Sequence, residues 1–281
     1  MDGWLTRMEG YCLVIRPTSG WQALNLRELW QFRDLLITLA IRDVKLRYRQ
    51  TALGALWVVL QPLIAAGIFA FVFGRVARMP SDGVPYFLFA YAGLLGWNAF
   101  NSTLTKASNC MVQNAQLVSK VYFPRLILPL STVASTLIDF SVALAMLAVL
   151  MGLYGIMPGM GLFLLPICLL LLLLLSLGLG LFAAALMVRY RDVQYVLPVM
   201  AQFVMYASPV AYAVSAVPDR LRSLYLINPL SGLLEGCRWA LLGRGALHPG
   251  YFVYSALTAI LVFAWGALAF KKMERQFADV I

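Results

Sequence analysis

LFLLPICLLLLLLLSLGLGLFAAALMV, from Leu162 to Val188, runs for 27 residues without a single Asp, Glu, Lys or Arg. About twenty apolar residues suffice for a helix to cross the hydrocarbon layer of a bilayer, where lipid offers the backbone no outside hydrogen-bond partner. The stretch therefore predicts a transmembrane helix, and the pattern recurs on both sides of it. Further spans are predicted near Ala55 to Phe73, Tyr86 to Thr105, Leu126 to Leu150, Tyr195 to Val214 and Tyr251 to Phe270. Composition agrees: of 281 residues 62% are hydrophobic and 12% charged, against roughly 25% charged in soluble domains. The expected fold is an all-α integral membrane protein of about six spans in one unit, residues 1–281. It comprises an interfacial segment 1–54, a bundle 55–270 and a tail 271–281. Arg7, Glu9, Arg16, Arg27 and Asp34 interrupt the first fifty residues, so no cleavable signal peptide is expected.

The net charge is +10, from 22 basic and 12 acidic side chains. Sixteen of the 22 Lys and Arg fall on the side of the predicted spans that both termini share, and six on the other. The positive-inside rule then puts both termini in the cytoplasm. Topology accounts for the charge, and no nucleic-acid partner is expected. Cys12, Cys110, Cys168 and Cys237 have no CxxC or Cys/His spacing and His248 is the lone histidine. They read as packing residues, without a disulfide framework or a metal site.

Ahead of the first span, Leu26, Leu29, Trp30, Leu36, Ile37, Ala40, Ile41 and Val44 recur at helical spacing, with Asn25 and Glu28 placed as a capping box. An amphipathic helix from Asn25 to Tyr48, lying along the membrane surface, is expected. Between the last two spans, Asn228-Pro229 opens an apolar stripe of Leu230, Leu233, Leu234, Cys237, Ala240 and Leu241 that Gly243 closes. This is the signature of a short capped helix. It is expected on the outer side, dipping toward the membrane, with Glu235 and Arg238 on its polar face. Ser176, Gly180 and Ala184, and likewise Ala66, Ala70 and Gly74, form rows of small residues that let helices approach closely, within the subunit or between subunits. The leucines from Leu169 to Leu175 are expected to face lipid.

No GxxxxGK[ST] phosphate loop is present, so ATP chemistry would belong to another subunit and this chain is expected to bind no cofactor. Of ionisable residues within the predicted spans, Asp139 stands at membrane depth, with Lys106 at the edge of the second span. Asp139 reads as a polar packing contact or as a direct participant in transport. The second span carries Tyr91, Asn98, Asn101 or Ser102, Thr105 and Asn109 at helical spacing, and the fifth repeats the idea with Tyr195, Gln202 and Tyr206. Polar groups at this depth need partners, so the stripe faces either the protein interior or a watery path. Hydroxyls, amides and aromatic faces suit sugars; interhelical hydrogen bonds and an interfacial aromatic belt are the alternative. Arg42, Lys45, Arg47 and Arg49 form a basic patch that can hold anionic headgroups of membrane lipids or a pyrophosphate, or serve topology alone.

RDVKLRYRQTALGALWVVLQPL (Arg42 to Leu63) resembles the opening signature of type-2 ABC exporter permeases that move O-antigen, teichoic acid or capsular polysaccharide. NAQLVSKVYFPRLILPL (Asn114 to Leu130) is similar to that family's connection between spans two and three. RYRDVQYVLPVMAQFVMYASPVAY (Arg189 to Tyr212) resembles its fifth span, and INPLSGLLEGCRWALLG (Ile227 to Gly243) its outer-side helical region. The resemblance covers most of the chain in order and is closest to the O-antigen and teichoic-acid branch. It implies a homodimer in the inner membrane, bound to two copies of an ABC ATPase subunit that carries ATP and Mg. The implied cargo is an undecaprenyl-diphosphate-linked glycan. By the same resemblance, Arg33 and Asp34 on the interfacial helix, and Gln113, Asn114, Gln116 and Lys120 in the connection, would couple to the ATPase. Leu53-Gly54 would turn the chain into the first span near the point of substrate uptake, beside the basic patch. A drug or lipid permease would want a more apolar path than the second span offers. A membrane enzyme acting on lipid-linked sugars would want a cluster of carboxylates or histidines at one depth, and a scaffold would not need the polar stripe.

Overall fold

The computed structural model describes residues 26–49, 56–245 and 248–274. Among the described residues every regular element is helical. In chain order these are α1 (Leu26–Gln31), α2 (Arg33–Arg49), α3 (Leu56–Phe69), α4 (Tyr86–Gln113), α5 (Ala115–Lys120), α6 (Ile127–Leu153), α7 (Leu165–Arg189), α8 (Val193–Tyr206), α9 (Asp219–Leu226), α10 (Pro229–Leu242) and α11 (Pro249–Met273). A π-helical segment, Ala70–Val76, prolongs α3, and a 3-10 turn, Met160–Leu164, leads into α7.

Four helical stretches are long and apolar enough to cross a membrane: Leu56–Val76, Ile127–Leu153, Gly161–Arg189 and Pro249–Met273. They agree with the predicted spans to within a few residues, and the chain is an integral membrane protein. α4 is longer than predicted, 28 residues, and continues past Thr105 to Gln113. It is less apolar than these four because of its polar stripe. The predicted fifth span, Tyr195 to Val214, is corrected more sharply: α8 is 14 residues long and ends at Tyr206. Pro209 removes a backbone donor and pushes Ser208 out of helical geometry. Ser208, Val210, Ala211 and Ala213, beyond that end, are nonetheless buried.

α4 is the hub. It packs on α3, α6, α7, α8 and α10, while α7 is sandwiched between α4 and α11. Leu88, Phe89, Ala90 and Tyr91 are almost completely buried at one end of α4. That end belongs to a large apolar cluster shared with α6, α7 and α10. A second cluster, at the opposite end, joins Leu39 of α2, Val118 of α5, Met111 of α4, Ile127 of α6, Ala184 of α7 and Phe270 of α11. The leucine run departs from its expected lipid contact: Leu171, Leu172, Leu173 and Leu175 are buried, and Leu170 is exposed. Packed neighbours and lipid tails are equally apolar, so composition alone does not distinguish them.

The small-residue row of α7 packs within the chain. A Cβ at Gly180 would come within 2.8 Å of the Ala107 Cβ on α4. On the other face, a Cβ at Gly178 would lie 2.6 Å from Phe263 Cα of α11, and one at Gly266 would collide with the Gly178 carbonyl. Backbone thus touches backbone between α7 and α11.

The predicted interfacial helix is two pieces, α1 and α2, separated at Phe32, and Asn25 with its cap lies outside the described residues. α2 packs on α6, burying Leu39 and Ala40. Trp30, Ile37 and Ile41 point away from the bundle. α10 begins and ends where the sequence indicates: the Asn228 side chain accepts from the Leu230 N–H, Pro229 follows, and Gly243 takes the left-handed conformation at φ 61°. On its polar face Arg238 is only 4% exposed. The guanidinium stacks 4.1 Å from the Phe89 ring centroid and donates to the Pro209 and Tyr212 carbonyls. It thereby serves the backbone that the early end of α8 leaves without helical donors.

Candidate functional site

Halfway along α4 the packing opens. Asn98, Asn101 and Ser102 share one face, because three- and four-residue steps return a helix to the same side. Opposite them stand Gln61 of α3 and Thr136 and Asp139 of α6, and together these line a cavity of about 240 Å³. Pro62, Leu95 and Phe140 contribute apolar wall. Among the described residues, the side chains of Gln61, Asn98, Asn101 and Ser102 make no hydrogen bond within the chain.

Asp139 is held from α4. Lys106 Nζ lies 3.2 Å from Asp139 Oδ2 and donates also to Ser135 Oγ at 2.8 Å and Thr136 Oγ1 at 3.4 Å. The pair spans 33 residues of sequence and joins α4 to α6. Both side chains are largely shielded, 25% and 14% exposed, so the attraction is screened less than on an open surface. The reading of Asp139 as a packing contact is thus met by a cation, and the carboxylate still faces the cavity.

The other expected path residues divide. Thr105 is exposed one turn beyond Ser102 on the same face. Tyr91 is not on the open face: it is fully buried, and its hydroxyl donates to the Ala143 carbonyl at 3.1 Å. Gln202 and Tyr206 lie exposed on α8 and take no part in the cavity. Gln61 and Thr136 were not anticipated. Gln61 had a signal, a lone amide before Pro62 in an otherwise apolar run.

The basic patch and the expected coupling residues meet at the far end of α4. Arg42 donates to Asp43 Oδ1 at 2.8 Å and to Asn114 Oδ1 at 2.9 Å, while Asn114 Nδ2 donates to the Cys110 carbonyl. Arg42 therefore ties α2 to the junction of α4 and α5, with its side chain still 39% exposed. Lys45 is exposed. The side chains of Arg47 and Arg49, and Leu53 and Gly54 entirely, lie outside the described residues. Arg33 and Asp34 are exposed and pair at 3.7 Å. Gln113, Gln116 and Lys120 are exposed around α5, which Val118 anchors in the second apolar cluster.

Residues 34–242 match the ABC-2 type transporter family, well over half of the chain. The chain belongs to the ABC-2 type transporter family. An O-antigen export system permease protein, RfbA of Myxococcus xanthus, is 33% identical over 259 residues, 91% of this chain and 98% of the relative. A protein of the same name from Klebsiella pneumoniae is 28% identical over 88% of this chain and 95% of its own length. The polysialic acid transport protein KpsM of Escherichia coli is 29% identical over 76% of this chain and 81% of its own. The cavity, the Lys106–Asp139 pair and the Arg42–Asn114 tie all fall inside the matched ABC-2 region. As a member of this family the chain is a transport component.

Proposed function

We propose that this chain is the permease subunit of an ABC exporter that carries a polysaccharide, attached to undecaprenyl diphosphate, across the inner membrane. The observation that carries the reading is the cavity beside α4, where four amide and hydroxyl side chains remain uncommitted at membrane depth. In hydrocarbon each such group costs free energy unless water or a ligand meets it. A ligand dense in hydroxyls matches amides that donate and accept at once. The names of the relatives point the same way.

In this reading the chain crosses six times, through α3, α4, α6, α7, α8 with the loop that follows it, and α11, and both termini are cytoplasmic. Two copies form the path as a homodimer. Two ABC ATPase subunits bind ATP and Mg and engage the end formed by α2 and α5, where Arg33, Asp34, Gln113, Gln116 and Lys120 are exposed. Arg42, Lys45, Arg47, Arg49, Leu53 and Gly54 are the candidates for admitting the lipid pyrophosphate. Arg42 and Asn114 join uptake and coupling through their hydrogen bond.

Deleting the gene in its host tests the proposal. Lipid-linked polysaccharide should accumulate on the cytoplasmic face and surface glycan should disappear, and the wild-type gene should reverse both. Normal surface glycan in the deletion strain would end the reading.

A further inference from the structure

The two terminal nitrogens of Arg238 donate to the Pro209 and Tyr212 carbonyls, while its Nε is buried and, among the described residues, has no hydrogen-bond partner. A buried donor left unpaired costs about 1–3 kcal/mol, and more when it is charged. Folded proteins therefore supply such a group with a protein acceptor or an ordered water. Arg238 borders a small cavity between α10 and the loop that joins α3 to α4. Asp82 of that loop, Glu235 of α10 and Arg244 share the lining, and Val84 and Phe89, both buried, form apolar wall. Among the described residues no ion pair joins either arginine to either carboxylate directly. Opposite charges that border one space without touching leave a place for a polar molecule between them.

Size and charge name the occupant. The cavity has a volume of about 10 Å³, and a single water needs roughly 10–15 Å³. A sugar ring or a lipid chain does not fit. Two carboxylates face two guanidiniums, so no net charge draws an ion: a chloride would meet Asp82 and Glu235, a sodium ion Arg238 and Arg244. A water both donates and accepts, and so serves a carboxylate and an N–H at once.

We propose that one buried water occupies this cavity, accepting from Arg238 Nε and donating to the carboxylates of Glu235 and Asp82. The inference stands apart from the export reading. Asp82 also accepts from Ser215 Oγ at 3.1 Å, and the Arg238 guanidinium holds the chain after α8. The water thus joins the α3–α4 loop, the segment after α8 and α10 into one hydrogen-bonded unit.

X-ray diffraction from the full chain, crystallised in a lipid mesophase, should show a density peak about 2.7–3.2 Å from Arg238 Nε and from an oxygen of Glu235 or Asp82. Arg238 Nε bonded directly to a carboxylate, or well-defined cavity walls with no peak between them, overturns the proposal. So does an anomalous signal at the site after bromide replaces chloride, which would mark an anion. Glu235→Gln keeps an accepting oxygen and should keep the peak, whereas Glu235→Leu should lose it. A peak unchanged in Glu235→Leu overturns the bridge. Radiolytic hydroxyl labelling reads the same site in detergent without crystals, because radicals formed at a bound water modify the side chains beside it. Phe89, although 1% exposed, should be labelled in the wild type and lose most of that labelling in Glu235→Leu. An unlabelled Phe89, in a sample where the exposed Tyr206 is labelled, overturns the proposal.

Discussion

Between Tyr86 and Gly96, α4 is committed on every side. The Tyr86 hydroxyl donates to the Ala211 carbonyl, Tyr91 to that of Ala143, and Phe89 lies beneath the Arg238 guanidinium. Gly93 leaves room for the Val210 carbonyl, which a Cβ would strike. Between Asn98 and Thr105 the same helix presents amides and hydroxyls that bond to nothing else in the described chain. A polar side chain is thus structural in one half of α4 and available in the other, and the hydrogen-bond partners tell the two apart.

The contrast is broken or sharpened by substitutions that affect one half alone. The largest expected effect is that of Arg238→Ala. It strips the buried Pro209 carbonyl and the partly buried Tyr212 carbonyl of their donor and removes the stacking on Phe89, costing about 3–5 kcal/mol and most of the folded protein in the membrane. Thermal unfolding in detergent reads this directly, and a wild-type melting temperature would mean that the Tyr86 half of α4 is not held by Arg238. Gly93→Ala should cost about 1–3 kcal/mol by forcing the Val210 loop off α4, again as a lowered melting temperature. Lys106→Met removes the ammonium that lies 3.2 Å from Asp139 Oδ2. A loss of about 1–2 kcal/mol is expected, reduced from the fully buried case because both side chains retain some exposure, and the added Asp139→Asn should recover most of it. If the double variant is no more stable than the single one, the pair does not act as a unit. Asn98→Leu should change stability by no more than about 0.5 kcal/mol and still abolish surface glycan. Full export by this variant at normal expression would remove the cavity from the path.

Much of the architecture was legible because lipid imposes a simple rule on composition. α3, α6, α7 and α11 fall near their predicted positions, and Asn228, Pro229 and Gly243 mark both ends of α10. What escaped the sequence depends on neighbours. A helical wheel assigns Arg238 to a polar face but does not reveal that the loop after α8 lies against it. Lys106 and Asp139 are recognised singly, and their pairing needs the placement of α4 beside α6. Asn98, Asn101 and Ser102 were readable as a stripe, and Gln61 and Thr136 were not, since each is a single polar residue whose direction is set by how its helix packs. The early end of α8 had its signal in Pro209, hidden by the apolar composition around it.

The contact of Gly178 with α11 has one more consequence. Where backbone lies on backbone there is no side chain to change rotamer, and close-packed interfaces have discrete arrangements rather than a continuous slide. α4, α7 and α11, in close contact through Gly180 against Ala107 and Gly178 against Gly266, therefore form the part of the bundle with the least room for side-chain adjustment. α3 and α8, by contrast, have the fewest buried residues of the predicted spans, and a substitution on their outer faces meets little of the chain's own packing.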